Sequence, residues 1–217
     1  MNLSKTIFSF ALLAVTSITF YQCAKKQQNE EQTKPAFSTK TGAVISSETA
    51  RRWLGYNYTT GARLENHLLT PQNITAILQA KGSLGVALHH TQDDNGAYHL
   101  LAITVVSGNA LWDSPLIIDT HSGEVVNSFT VKVWADNYIK ANAPGSIRYH
   151  FFGLHVFEDI QKIESYKRVE IQPALNDGGK PQLLLMVMGG DSGTQLLEAV
   201  DASRPCPPYC PETNAIN

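Results

Sequence analysis

Charge is in short supply in this chain. Charged side chains make up 17% of it, and the two signs nearly cancel to a formal net charge of −2. No stripe of Lys and Arg forms, which leaves no electrostatic footprint for nucleic acid. Long apolar runs are missing too: Ile7 to Tyr21 is uncharged for about fifteen residues, short of the roughly 20 that a spanning helix needs. With 3 cysteines, no multi-bridge disulfide scaffold can carry the fold. A Walker loop, a dinucleotide fingerprint, a zinc-protease helix and paired carboxylates are likewise absent, so no cofactor follows from the motifs. What remains is 43% apolar, the composition of a globular protein with a real core.

The N-terminus is organised differently. Met1 to Thr6 carries one lysine, the apolar run follows, and Cys23 ends it, which is the layout of an export signal over residues 1–22. Cys23 followed by Ala24-Lys25-Lys26 resembles a bacterial lipoprotein signal, although Phe20-Tyr21-Gln22 departs from the usual small-residue box. The resemblance implies lipidation of Cys23 and attachment to a membrane, on the outer-membrane side of a cell envelope, facing the periplasm or the surface. Residues 23–43, rich in Lys, Gln, Asn, Glu, Thr and Ser, cannot bury enough surface to offset their ordering entropy and read as a tether.

Beyond the tether the chain carries one pattern twice. His67 falls on His150, Ile77 on Ile160, Val86 on Val169, Gly96 on Gly179 and Leu100 on Leu183, each 83 positions apart. Trp53, Asn57 and Tyr58 meet Trp134, Asn137 and Tyr138 at a slightly shorter offset, with the extra residues in the loop around Ala143-Pro144-Gly145. Repeat 1 spans 44–126 and repeat 2 spans 127–217. Ser46 or Ser47 begins a helix, and Thr70-Pro71 begins a second that stops near Gly82. Leu84 to Leu88 and Tyr98 to Val106 then form a hairpin around Asp93 to Gly96, with a short third strand at Leu116 to Ile118. The second repeat follows the same order. Two or three strands with one apolar face are marginal alone. The expected fold is therefore α+β: two helix-helix-strand-strand(-strand) repeats joined in one domain with pseudo-two-fold symmetry, and an antiparallel sheet covered by helices.

Cys206-Pro207-Pro208-Tyr209-Cys210 is the sharpest local feature. In an oxidising compartment the two cysteines read as a disulfide. The string Cys-x-x-x-Cys-Pro is also shared with copper-delivery proteins of the thioredoxin fold, so an envelope thiol or copper-binding protein using Cys206 and Cys210 is an alternative. His67 and His150 are matched between the repeats and read as structural. His89-His90 is expected at a strand end, solvated, with the two rings on opposite faces. Trp53 and Trp134 read as core or seam; together with His67 and His150 they also define a candidate ligand groove. The same residues would serve an enzyme whose site lies at the seam, a third reading. Asp93 to Gly96 lacks the spacing of a calcium loop, and Ser192 lacks the nucleophile-elbow form.

Laid out as Trp134, Asn137-Tyr138, Phe152-Gly153, two strands, Gly189-Gly190-Asp191 and Pro205-Cys206-Pro207-Pro208-Tyr209-Cys210, the C-terminal ninety or so residues resemble a family of short Bacteroidota proteins ending in Pro-Cys-Pro-Pro-x-Cys. The first repeat lacks that end. The resemblance implies an address and an architecture, and no activity. The functional expectation is an exported, lipid-anchored envelope protein that serves as a binding or structural module, its partner a small molecule or another envelope protein, rather than an enzyme, with the thiol or copper protein and the seam enzyme as the alternatives.

Overall fold

The computed structural model describes residues 37–55, 66–107, 111–201 and 203–206. The expected export signal, Cys23, Cys210 and the first part of the expected tether lie outside them. Residues Ala36–Asn217 form one compact unit.

Local chemistry sets the elements. Strand β1 (Ala43–Ile45) leads into helix α1 (Ser47–Gly55), where the Ser46 hydroxyl accepts from Thr49 N. After β2 (Leu68–Leu69), helix α2 (Pro71–Gln79) opens with a complete capping box: Asn73 N donates to Thr70 Oγ1 and Thr70 N donates to Asn73 Oδ1. Proline at the first helical position gives up no bond there. Strands β3 (Ser83–Gln92) and β4 (Tyr98–Val106) form a hairpin whose turn is held by Asn95 N and Ala97 N donating to Asp93 Oδ1. A 3-10 turn (Leu111–Asp113) and β5 (Ile117–Asp119) close the first half.

The second half runs α3 (Ser128–Ala141), β6 (Tyr149–Gly153), α4 (Leu154–Lys162), β7 (Tyr166–Leu175), β8 (Pro181–Gly189), β9 (Gln195–Asp201) and β10 (Arg204–Cys206). Asn127 caps α3 by accepting from Thr130 N. Asn176 repeats the Asp93 device in the β7–β8 turn.

Among the described residues ten strands make two antiparallel five-stranded sheets. The first has the order β1-β9-β8-β7-β2 and the second β10-β6-β3-β4-β5. Each sheet mixes the halves: β1 pairs with β9 and β2 with β7, while β6 pairs with β3. Helices α2 and α4 contribute Ile74, Ile77, Val156, Phe157 and Ile160 to a central core with Val86, Leu88, Leu100, Leu183, Leu185 and Val187. Fully burying each such side chain contributes about 1.5–3 kcal/mol. On the other face of the first sheet, α1 packs Ala50 and Trp53 on Ala174, Leu184 and Met186. On the other face of the second, α3 packs Val131 and Trp134 with Ala87, Leu101, Ile103 and Phe151. Alternate residues of β3 and β4 thus enter two different cores, which is why these strands are apolar at consecutive positions. The architecture is α+β with helix-covered antiparallel sheets.

The tether expected to reach residue 43 is packed from Phe37 onward. Phe37 lies 4.6 Å from the Phe151 ring and 6.0 Å from Tyr149. Thr39 O accepts from both N and Nδ1 of His155, and Gly153 N donates to Thr41 O at 2.7 Å. A side chain at Gly153 would overlap the Thr39 backbone. These residues are polar in sequence, yet their backbone groups find partners on α4 and β6.

Candidate functional site

Two buried imidazoles join the sheets. His67 sits immediately before β2, held by Ile171 N donating to its carbonyl and by Leu68 N donating to Thr120 O. Its Nδ1 lies 2.8 Å from Thr120 Oγ1. The Thr120 hydroxyl gives its one hydrogen to Leu100 O at 2.7 Å, so His67 must donate from Nδ1. His150, on β6, repeats the arrangement: Nδ1 is 2.9 Å from Ser203 Oγ, which donates onward to Gln182 Oε1. In both pairs the partners are 53 residues apart. Burial lowers the His67 pKa from 6.5 to about 4, with a further push from His121, and lowers His150 to about 3. Both rings are neutral at pH 7.

Between them runs a row of imidazoles and phenols. His90 Nδ1 meets the Tyr98 hydroxyl at 2.6 Å, and Tyr138 of α3 stacks on His90 with ring centres 5.6 Å apart. His90 lies 6.0 Å from His150, and Tyr98 lies 5.8 Å from His67. His121, exposed, continues the row 5.7 Å beyond His67. Burial and then neighbouring His150 hold the His90 pKa well below its ordinary value. His89 points to the other face of the sheet, between Trp112 and Tyr149, donates from Nδ1 to His90 O, and is lowered by burial to about 4. The solvated His89-His90 pair is therefore corrected: β3 runs two residues past them, and both rings are covered, on opposite faces.

A second group lies under α3. His99 Nδ1 is 2.7 Å from Asp119 Oδ2, its Nε2 is 3.8 Å from Asp93 Oδ2, and Trp134 stacks on it at 4.4 Å. Asp119 Oδ1 accepts from His121 N, which fixes the carboxylate. Asn137 ties α3 to the hairpin turn by donating to Asp94. Bonds from Ala97 N and Asn95 N depress the Asp93 pKa.

The structure thus brings His67 and His150 to one seam through His90 and Tyr98. It does not gather the four residues of the candidate groove: Trp53 packs in the cluster under α1, and Trp134 in the cluster under α3. Cys206 is buried and disulfide-bonded; Cys210 lies outside the described residues. No group of three or more His, Cys, Asp or Glu is arranged to hold a metal ion among the described residues. No helix among them is long and apolar enough to cross a membrane. Sequence reasoning missed His90, Tyr98, His99, Asp119 and Tyr138. The available signal was asymmetry: 83 positions beyond His90, Tyr98 and His99 stand Pro173, Pro181 and Gln182. Comparison with protein-family models, with curated proteins and with solved structures gives no match.

Proposed function

We propose that this protein is an envelope-anchored binding module, held to lipid through Cys23 and built from two tandem copies related by pseudo-two-fold symmetry. The duplication is supported by element bounds: α2 and α4, β3 and β7, and β4 and β8 each begin and end 83 residues apart. Irregular pairings recur at the same places, Ser83/Gly85 and Tyr166/Arg168. In this reading the copies exchange their first strands and helices, and His67 and His150 are equivalent clamps on the scaffold.

One observation carries the binding reading. The residues that the copies do not share, His90, Tyr98 and His121, gather with Tyr138 beside His67 at the seam, graded from buried to exposed, with the His67 and His90 imidazoles held neutral by burial. Neutral imidazoles and phenols offer stacking surfaces and hydrogen bonds without charge, which suits a ligand rather than a reaction that must stabilise developing charge. The family ending in Pro-Cys-Pro-Pro-x-Cys, and pairing of Cys206 with Cys210, belong to the same proposal. Purified protein is expected to show no turnover of generic ester, glycoside and phosphate substrates. Ligands that raise its melting temperature should lose that effect in Tyr138→Ala and His121→Ala. Hydrolysis abolished by His99→Ala or His90→Ala would overturn the binding reading in favour of an enzyme.

A further inference from the structure

We propose that the ligand of this seam is an uncharged, hydroxyl-rich ring of the sugar class, and that one of its hydroxyls donates to Nε2 of His67. The inference rests on the binding reading and adds the chemistry that the site selects. The hydrogen-bond network fixes which ring nitrogen is available. Thr120 Oγ1 gives its hydrogen to Leu100 O and Ser203 Oγ gives its own to Gln182 Oε1, so His67 and His150 both donate from Nδ1. A neutral imidazole that donates from Nδ1 holds a lone pair at Nε2. His90 also uses Nδ1, against the Tyr98 hydroxyl.

Among the described residues, Nε2 of His67, His90 and His150 meets no hydrogen-bond partner. These residues are 5%, 8% and 1% exposed, so bulk water does little to satisfy them. Unmatched polar atoms in buried positions carry a desolvation penalty, and three in one row point to a molecule that brings hydrogen-bonding groups of its own. The row opens outward. His121 is exposed and Tyr98 and Tyr138 are half-buried, whereas His150 closes the inner end. His67 has the rings of Tyr98 and His121 beside it, with centres 5.8 and 5.7 Å away. It is therefore the first buried acceptor that an entering ligand meets.

Charge and spacing narrow the class. The charged groups that act on His67 and His90 are other histidines and Asp119, with no Lys or Arg among them, so an anion finds no counter-charge. Asp119 is already engaged by His99 and by the His121 amide, which leaves a cationic amine uncompensated as well. A single metal ion needs its ligands to converge. These rings instead follow one another at 5.7–6.0 Å, and no group of three or more His, Cys, Asp or Glu surrounds one point among the described residues. A ketone or an ester brings no donor. Hydroxyl groups donate to the lone pairs of His67 and His150 and suit either tautomer of His90, while the C–H face of a sugar ring suits an aromatic neighbour such as Tyr138.

The test uses the native protein, labelled with nitrogen-15 histidine and kept in a detergent without sugar head groups. Long-range proton–nitrogen spectra then separate bonded from unbonded ring nitrogens. Glucose, galactose, mannose, N-acetylglucosamine, maltose and cellobiose are the neutral probes, with glucuronate and glucosamine as the anionic and cationic counterparts. In the free protein His67 Nε2 is expected at the frequency of an unprotonated, unbonded nitrogen. At least one neutral sugar should move it upfield, with the charged counterparts binding at least about tenfold more weakly. His67→Asn keeps a donor beside Thr120 and removes the Nε2 acceptor. It should weaken that sugar by at least about tenfold, read from the His121 signals. No movement of His67 Nε2 with any sugar, a nitrogen already bonded in the free protein, or equal binding by His67→Asn would overturn the proposal. A charged probe that moves the His121 signals when no neutral one does ends the sugar class and leaves the binding reading standing. If no probe moves them, the sugar class is overturned, and the melting-temperature comparison of Tyr138→Ala and His121→Ala decides the binding reading separately.

Discussion

Tyr149 buries a hydroxyl that has no hydrogen-bond partner among the described residues, in a cluster with Phe37, Phe151 and His89. Burial raises its pKa, so the phenol stays neutral. An unsatisfied buried hydroxyl carries a desolvation cost of about 1–3 kcal/mol, and removing it while keeping the ring should recover part of that. Tyr149→Phe is therefore expected to raise the urea midpoint; a variant less stable than the parent would mean that the hydroxyl is bonded. Gly85 has the opposite character. Its φ of +152° disfavours a side chain, and a Cβ there would run into the Phe152 carbonyl of the neighbouring strand. Gly85→Ala should cost about 3 kcal/mol or more, because the β3–β6 pairing must part to admit the methyl. Unchanged thermal stability in that variant would show that the strands can give way.

At the scale of elements, the two histidine–hydroxyl pairs fasten one sheet to the other, and removing the hydroxyl leaves a buried Nδ1–H without an acceptor. Thr120→Val and Ser203→Ala are each expected to lower stability by about 1–3 kcal/mol in urea unfolding. A cost in one and none in the other would deny that the pairs are equivalent. These histidines were legible in the sequence because they align with each other, and α2 was legible because Thr70-Pro71 and a 3.6-residue period mark it. The hairpins were legible from their turn residues. What could not be read is what the halves exchange. β1, β2 and β10 have only 3, 2 and 3 residues, too few for a period, and their partners lie far away in the chain. The seam was obscured for the same reason: His90, Tyr98 and Tyr138 converge only after β3, β4 and α3 have assembled, and no local spacing announces it. His99 and Asp119 meet because β4 pairs with β5, a register set by the apolar residues between them rather than by the pair itself.

For the whole molecule, the concentration of buried neutral imidazoles dictates how the fold answers acid. His67, His89 and His150 titrate near 3–4 in the native state, and His90 is also lowered, against an ordinary value of 6.5. Between those limits the unfolded chain binds more protons than the folded one, so stability falls as pH falls. The contribution is fully present above about pH 6.5 and is lost progressively toward pH 4. At pH 5 His89 and His150 each cost on the order of 2 kcal/mol by that linkage, and His67, less fully enclosed, adds less; together they take a large part of the 5–15 kcal/mol that holds a typical domain. The groups facing them offer little relief. Asp119 is near His67 but already binds His99, while His90 faces His67, His89 and His150, and His89 faces Arg148. Cooperative unfolding by far-UV circular dichroism is therefore expected between about pH 6 and 4. His150→Gln can still donate to Ser203 but cannot take up a proton, and should shift the acid midpoint to lower pH. A native spectrum retained at pH 4, or a midpoint that His150→Gln leaves in place, would mean that the seam accepts these protons without opening.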